Sequence, residues 1–244
     1  MTTERIQKFL AHQGIASRRA IEKMINDKRI TVNGEVVVQQ GMKIDPKIDK
    51  VSVDRKEIKA KELLVYYWIN KPIGIISASN SSTGETTVVD LVETKTRIYP
   101  VGRLDKDSHG LLLLTNDGEL THRLTHPKYH IEKTYRVTVV GNVTDQKIHK
   151  LQTGIQLEEG ITAPATVEII DSTNDGTIIE FIIHEGKHRQ IRRMCEIVGL
   201  QVVDLIRTAV GPIQLGKLSL GEYRLATKEE IAKLDDIHTQ LKDQ

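Results

Sequence analysis

Gly102-Arg103-Leu104-Asp105-Lys106-Asp107-Ser108-His109-Gly110-Leu111-Leu112-Leu113-Leu114 runs without interruption from a charged segment into four consecutive leucines. Such a passage reads as a polar loop held against a buried strand, here Leu111 to Thr115. It sets one carboxylate, Asp105, two residues after a guanidinium, Arg103, at the edge of a core. Loops mounted on rigid elements carry chemistry out of proportion to their length. An Asp in a polar loop also serves as a turn former or helix cap, so residue type alone leaves both readings open.

On either side of that strand the pattern stays strand-rich. Leu63 to Asn70 is β-rich, Lys71-Pro72 breaks it, and Ile73 to Ser77 is expected to resume extended structure. Further strands are predicted at Thr134 to Val140, Thr166 to Ile170, Ile178 to His184 and Val202 to Arg207, with a hairpin turn at Asn174-Asp175-Gly176. Helices are predicted at Glu119 to Thr125, Thr144 to Gln152, Gln190 to Val198 and Lys228 to Leu241. Strands interspersed with helices and hairpin turns predict an α+β domain with a mainly antiparallel sheet over residues 63–244.

The first 58 residues follow a different plan. Ile6, Phe9 and Leu10 form a helical stripe that Gly14 ends, and Ile21, Met24 and Ile25 repeat the spacing in a second helix from about Ser17. Ile30 to Val32, the pair Asn33-Gly34 and Glu35 to Val38 make a hairpin, with one more strand near Lys50 to Val53. Asp54 to Glu62 has no apolar periodicity and reads as charged linker, with 59–62 as the joint between two domains.

A length of 244 residues accommodates a small module and a medium domain. The net charge is only +2, so a nucleic-acid surface requires local clustering. Residues 4–29 supply it: Arg5, Lys8, Arg18, Arg19, Lys23, Lys28 and Arg29 face only Glu4, Glu22 and Asp27. These charges can share one face and meet phosphates, or form an ordinary solvated surface. The single cysteine, Cys195, excludes an internal disulfide and sits in a half-buried helix, where it reads as a small hydrophobe. No apolar signal core opens the chain and no stretch approaches the roughly 18 apolar residues of a membrane span, so a cytoplasmic protein without membrane association is expected.

Several chemistries fail on their own spacing. Asp105 to Gly110 imitates a calcium loop, but its twelfth position is Asn116 and four leucines intervene. His122, His126 and His130 lack a completing carboxylate, and Pro127 ends their helix, so no metal site is expected. Gly186-Lys187 has neither the upstream glycine nor the downstream hydroxyl of a phosphate-binding loop, and no Gly-x-Gly-x-x-Gly occurs. Three segments remain: Gly102 to Gly110; Glu132 to Val137 with Tyr135; and His184 to Met194, where Lys187, Arg189, Arg192 and Arg193 surround a strand-to-helix turn suited to anions. Tyr135 can equally pack on the sheet, and the arginines can pair with nearby acids.

Arg5-Ile6-Gln7-Lys8-Phe9-Leu10, Gly14-Ile15-Ala16-Ser17-Arg18-Arg19 and the Val-Asn-Gly hairpin together resemble the αL RNA-binding module of a small-subunit ribosomal protein. Asn70-Lys71-Pro72-Ile73-Gly74, the Gly-Arg-Leu-Asp loop, Lys133-x-Tyr135, Glu185-Gly186-x-x-Arg189-Gln190-Ile191-Arg192-Arg193-Met194 and Leu220-Gly221-Glu222-Tyr223-Arg224, in that order, resemble the RsuA/RluB/RluF-type rRNA pseudouridine synthases over essentially the whole chain. Ser108-His109 departs from the Thr-Ser pair common in the wider superfamily, while the wording around Arg192 looks more like the large-subunit branch.

The resemblance implies that Asp105 is the essential carboxylate, that Arg103 helps hold a flipped nucleotide, that Tyr135 packs on the uracil and that Arg192 pairs with Asp105. It implies RNA contacts from Arg5, Lys8, Arg18, Arg19, Lys28, Arg29, Lys187, Arg189 and Arg193, no cofactor, and a monomer acting on a structured rRNA stem-loop, free or in an assembling subunit. Asp105 then acts as nucleophile at sugar or base, or as base toward a sugar proton. Large-subunit rRNA is the expected substrate, with small-subunit rRNA and a noncatalytic assembly factor as the rival readings. Replacing Arg18 and Arg19 together by Ala is expected to weaken binding of structured RNA and to flatten its salt dependence, by roughly 0.9 in log–log slope for each phosphate no longer neutralised. Anisotropy titrations at several salt concentrations measure this, and an unchanged slope removes the face from RNA binding.

Overall fold

Ser17 ends a short loop, and its Oγ accepts from Ala20 N at 3.2 Å. That cap starts α2 (Arg18–Asn26), which follows α1 (Ile6–His12). Ile6, Leu10, Ile21 and Ile25, the apolar stripe of both helices, are fully buried. They share a core with Ile30 and Val32 of β1 (Ile30–Val32) and with Val51 and Val53 of β3 (Val51–Val53). At the edge beside β1 lies β2 (Glu35–Val36), shorter than expected, although Val37 N still donates to Ile30 O at 2.9 Å. Asn33 and Gly34 both have positive φ, 54° and 88°, as a two-residue hairpin turn requires. The Asn33 carboxamide also accepts from Lys50 N and donates to Asp49, so one side chain sets the turn and anchors the approach to β3.

The computed structural model describes residues 3–46, 48–58 and 63–240. It divides into two compact units: Met1–Val65 with Thr94–Arg97 and Asn116–Gly118, and Tyr66–Glu93, Ile98–Thr115 and Glu119–Gln244. Asp54 to Glu57 is not linker. Lys56–Glu57 forms β4 against β3 through a second tight hairpin, with Asp54 and Arg55 at φ 50° and 67°. No glycine or asparagine announces that turn; the bidentate ion pair from Arg29 to Asp54, at 2.8 and 2.6 Å, braces it instead. The proposed joint at 59–62 lies outside the described residues.

The second unit is built on a sheet of nine strands among the described residues. Its main strands are β5 (Tyr66–Lys71), β6 (His109–Thr115), β7 (Lys133–Val140), β8 (Thr166–Thr173), β9 (Gly176–Ile183), β10 (Gln201–Val210) and β11 (Tyr223–Leu225). They lie in the order β8-β9-β7-β10-β6-β5-β11, with Tyr99–Pro100 on β6 and Ile213–Gln214 on β10. Pairing is antiparallel throughout except between β10 and β6. The helices are α3 (Gly118–Thr125), α4 (Asp145–Thr153), α5 (Gln190–Ile197) and α6 (Lys228–Gln240), close to the predicted spans; Leu241 lies outside the described residues. None is long and apolar enough to cross a membrane among the described residues. Ile73 to Ser77 does not resume a strand; it makes a loop with one isolated bridge, Ile76 to Thr87.

Leu111 to Leu114 are buried on both faces of the sheet, which is why their run is continuous and not alternating. Leu111 and Leu113 pack with Trp68, Leu120, Leu124 and Leu234. At the start of this strand Gly110 meets β10 at the parallel seam, paired with Arg207. Its φ is 113°, and a Cβ there would lie 2.5 Å from Arg207 N and nearer still to Arg207 O. Only glycine permits that approach. Gly110→Ala is therefore expected to destabilise the protein by at least about 2 kcal/mol, from backbone strain and overpacking together. Urea denaturation measures it, and a midpoint equal to wild type refutes the close approach.

Candidate active site

Asp105 lies in a loop whose backbone is tied down on both sides. Ser77, itself buried, donates from Oγ to Leu104 O at 2.7 Å and accepts from Leu104 N at 3.0 Å, so one hydroxyl satisfies both backbone groups of the residue before Asp105. Gly74 N donates to Lys106 O at 2.7 Å, and Ser108 N donates to Asp105 O at 3.1 Å. Lys106 reaches Glu85 at 2.7 Å. The Asp105 carboxylate accepts no hydrogen bond from another described residue and opens, half-exposed, into a cleft of about 500 Å³.

That cleft also takes in Arg103, Ser108, Lys133, Tyr135, Lys187, Arg189, Arg192 and Arg207. Tyr135 and Arg207 face each other across β7 and β10, and Tyr135 is nearly covered. Arg103, Asp105, Tyr135 and Arg192, taken from three distant segments of the sequence, thus line one depression. An uncommitted carboxylate, an aromatic face and several cations there can receive a planar, polar group attached to an anionic backbone.

Arg192 is bound otherwise than the resemblance implied. Its Nη2 donates to Asp107 O at 2.7 Å and Ser108 Oγ at 3.2 Å, and its Nε lies 3.4 Å from the Asp107 carboxylate. Arg189 grips the same carboxylate with two bonds of 2.8 Å. These guanidinium groups hold Asp107 below the usual carboxylate range, chiefly through the Arg189 hydrogen bonds. Asp107, two residues from Asp105, is therefore the clamp between the loop and α5, a role that sequence reading missed. His109, the residue that departs from the family pattern, is engaged by Asp204 at 2.9 Å.

The other predicted phosphate anchors of the turn are engaged as well. Arg193 makes a bidentate pair with Glu159, whose carboxyl falls to about 2 because of those hydrogen bonds. Lys187 Nζ donates to Ile161 O at 2.7 Å and Gly160 O at 3.2 Å. In the first unit Arg29 is taken by Asp54, while Arg18 and Arg19 stand exposed at the start of α2. Arg5 lies in a short strand pair with Lys43, Lys8 is on α1, and Lys28 adopts φ 56° just after α2. Cys195 is fully covered on α5, and burial pushes its thiol up to about 12.

Two cations, named in the sequence only within a breaking pair and at a strand end, turn out to be buried. Lys71, the last residue of β5, has no exposed surface, and burial lowers it to about 8 against the attraction of Asp105 and Asp107. Arg207 occupies a core-facing position between Leu205 and Ala209, and its Nε donates to Leu111 O at 2.7 Å. Its signal was available: an arginine on the buried parity of an apolar strand has no bland explanation.

Residues 65–197 match the family model described as RNA pseudouridylate synthase, and residues 4–47 match the S4 domain. The chain is 43% identical over 234 residues to the ribosomal large subunit pseudouridine synthase B of Bacillus subtilis (strain 168), covering 95% of each. It is 37% identical to the ribosomal small subunit pseudouridine synthase A of Escherichia coli (strain K12), covering 94% of this chain and 99% of that one. A solved structure of a pseudouridylate synthase superposes with a TM-score of 0.69 at 33% identity, covering 95% of this chain and 99% of the other.

Ser77→Ala would leave the backbone groups of Leu104 unpaired in a buried setting, at a cost of about 1–3 kcal/mol. Urea denaturation should register that loss and amide exchange a loss of protection at Leu104; unchanged protection would show that the loop does not hang on Ser77.

Proposed function

The chain belongs to the RNA pseudouridylate synthase family, with an S4 domain at its N-terminal end, and on that premise we propose that it isomerises a specific uridine to pseudouridine in a stem-loop of large-subunit ribosomal RNA. The observation that carries the reading is the convergence of Asp105, Arg103, Tyr135 and Arg192 on one cleft. Pseudouridine formation breaks the bond from ribose C1′ to uracil N1, turns the base and rejoins it through C5, with no net oxidation and no group transferred. The base must first leave its stack, which costs a few kcal/mol. An aromatic face returns roughly 1 to 3 kcal/mol per stacked base, so Tyr135 under the uracil offsets much of that cost.

In this reading Asp105 works at the sugar or the base as nucleophile, or takes a sugar proton. Its loop suits either role, because the backbone around it is fixed while the carboxylate itself is uncommitted. Arg192 acts one step removed, through Asp107 and Ser108, to keep the loop against α5. Arg103, exposed and lining the cleft, helps hold the flipped nucleotide. Residues 1–58 serve as the RNA-holding module, with Arg18 and Arg19 as its open cations, and the protein works in the cytoplasm, where rRNA is made and assembled.

Greater identity to the large-subunit enzyme supports the choice of substrate, and substantial identity to the small-subunit enzyme keeps that rRNA as the second reading. Asp105→Asn is expected to abolish isomerisation, with RNA affinity within about threefold of wild type, since an isosteric amide keeps the contacts and removes the charge. Sequencing-based pseudouridine mapping after reaction with each rRNA tests both parts. Turnover by Asp105→Asn at the wild-type rate removes the carboxylate from the mechanism, and modification of small-subunit rRNA alone reverses the substrate.

A further inference from the structure

Three cations meet beneath the cleft, and no carboxylate hydrogen-bonds to any of them among the described residues. Lys71 is wholly covered, Arg207 is 3% exposed, and Lys133 is half-buried. Arg207 repels both lysines, so it lies within electrostatic reach of each. Every bond that holds them runs to a backbone carbonyl: Lys71 Nζ to Pro72 O at 2.8 Å, Lys133 Nζ to Ile131 O at 2.8 Å, and Arg207 Nε to Leu111 O at 2.7 Å. Burial, with Arg207 adding to it, lowers Lys133 to about 8, which leaves it protonated at neutral pH.

The acids nearby do not balance this charge. Asp107 is committed to Arg189 and Arg192, and Glu185, which lines the cleft, accepts from Ala163 N and from Gln190 Nε2. Asp105 alone is uncommitted, against Lys71, Lys133 and Arg207 together. Burying like charges without counter-ions costs stability. Fixed cations in a site from which a ligand would exclude water are the arrangement that stabilises negative charge arising during a reaction.

Their placement says which charge. Lys133 and Tyr135 are two residues apart on β7 and share a face, and Arg207 is paired opposite Tyr135 on β10. All three residues line the cleft, so the two cations neighbour the aromatic residue on which a flipped base would rest. Resting on the isomerase reading above, we propose that Lys133 and Arg207 form an anion-binding floor that holds the oxygens of the uracil once it has been cut from its ribose.

The chemistry requires such a site. When the C1′–N1 bond breaks, its electron pair stays with the uracil and spreads to O2 and O4, giving a monoanion. This holds on both routes in which Asp105 acts at the sugar, bonding to C1′ or taking, and later returning, the C2′ proton. On reattachment C5 bonds to C1′, the C5 proton leaves and N1 gains one, so atoms and electrons balance. Between the two bonds the base is free to turn, and cations that contact its oxygens keep it in the cleft.

The test is single-turnover reaction of Lys133→Met on the rRNA transcript that wild type modifies, synthesised with uridine or with 5-fluorouridine. Fluorine makes the departing base a better-stabilised anion, so it needs less help from the protein. Loss of the N1-linked nucleoside at the target is followed by chromatography of nuclease digests. With uridine the variant should be slower by about 10²–10³, the loss typical of removing one group that stabilises developing charge, while RNA affinity changes less than about twofold. With 5-fluorouridine the loss should be at least about tenfold smaller, and Lys133→Arg should recover most of the uridine rate. Arg207→Met is run alongside a thermal melt, because Arg207 also holds Leu111, and the deciding comparison is made at position 133. Equal losses on both transcripts, or a loss confined to affinity as a phosphate anchor would give, overturns the proposal and leaves the isomerase reading intact. A wild-type protein that isomerises neither rRNA overturns both.

Discussion

The seam between β6 and β10 is the constraint on which the second unit depends. Two strands that run parallel cannot be joined by a tight turn, so their association has to be made by long-range contact. Gly110 supplies the close approach, and Arg207, across from it, ties the seam with a bond from its side chain to Leu111 O. On one side of that seam lie the antiparallel strands β7, β9 and β8; on the other lie β5 and β11. The loop bearing Asp105 enters at the seam, and Tyr135 stands on the strand next to it. The cleft exists because the two halves of the sheet meet there.

Charge is used in two ways around this seam. At the rim, cations are spent on nearby acids: Arg189 and Arg192 on Asp107, Arg193 on Glu159. Exposed ion pairs contribute little to stability, commonly under about 1 kcal/mol each, but shared geometry makes them useful as positioning devices. Asp107 receives one guanidinium group from α5, Arg192, and one from the residue that precedes it, Arg189, and so fixes where the loop can sit. At the floor the opposite holds, and cations are left facing the cleft. Rim pairs order the protein; floor cations act on what enters it.

Most of the elements were legible in the sequence because their periodicities are local. The helices at 6–12, 18–26 and 190–197 follow apolar stripes, and Leu111 to Leu114 declared a doubly buried strand. The Asp54-Arg55 turn was hidden because its positive φ values are held by a partner 25 residues away, Arg29, and not by glycine. Convergence of Asp105, Tyr135 and Arg192 came from resemblance; no local pattern implies it. Sequence left the state of the basic turn open, since the acids that engage Arg189 and Arg193 lie 82 and 34 residues away. Lys71 and Arg207 were passed over for the opposite reason: each sits in an apolar strand where a cation is unexpected, and that mismatch was itself the clue.

One feature of α5 reaches beyond RNA. Cys195, the lone thiol, is sealed on the inner face of the helix that clamps the Asp105 loop, with its proton held far more tightly than that of a free thiol. Alkylating reagents attack thiolates, so they find nothing to react with while the helix is docked. Labelling at this sulfur thus keeps a tally of how often the helix lifts away, and the molecule carries its own chemical clock for local opening.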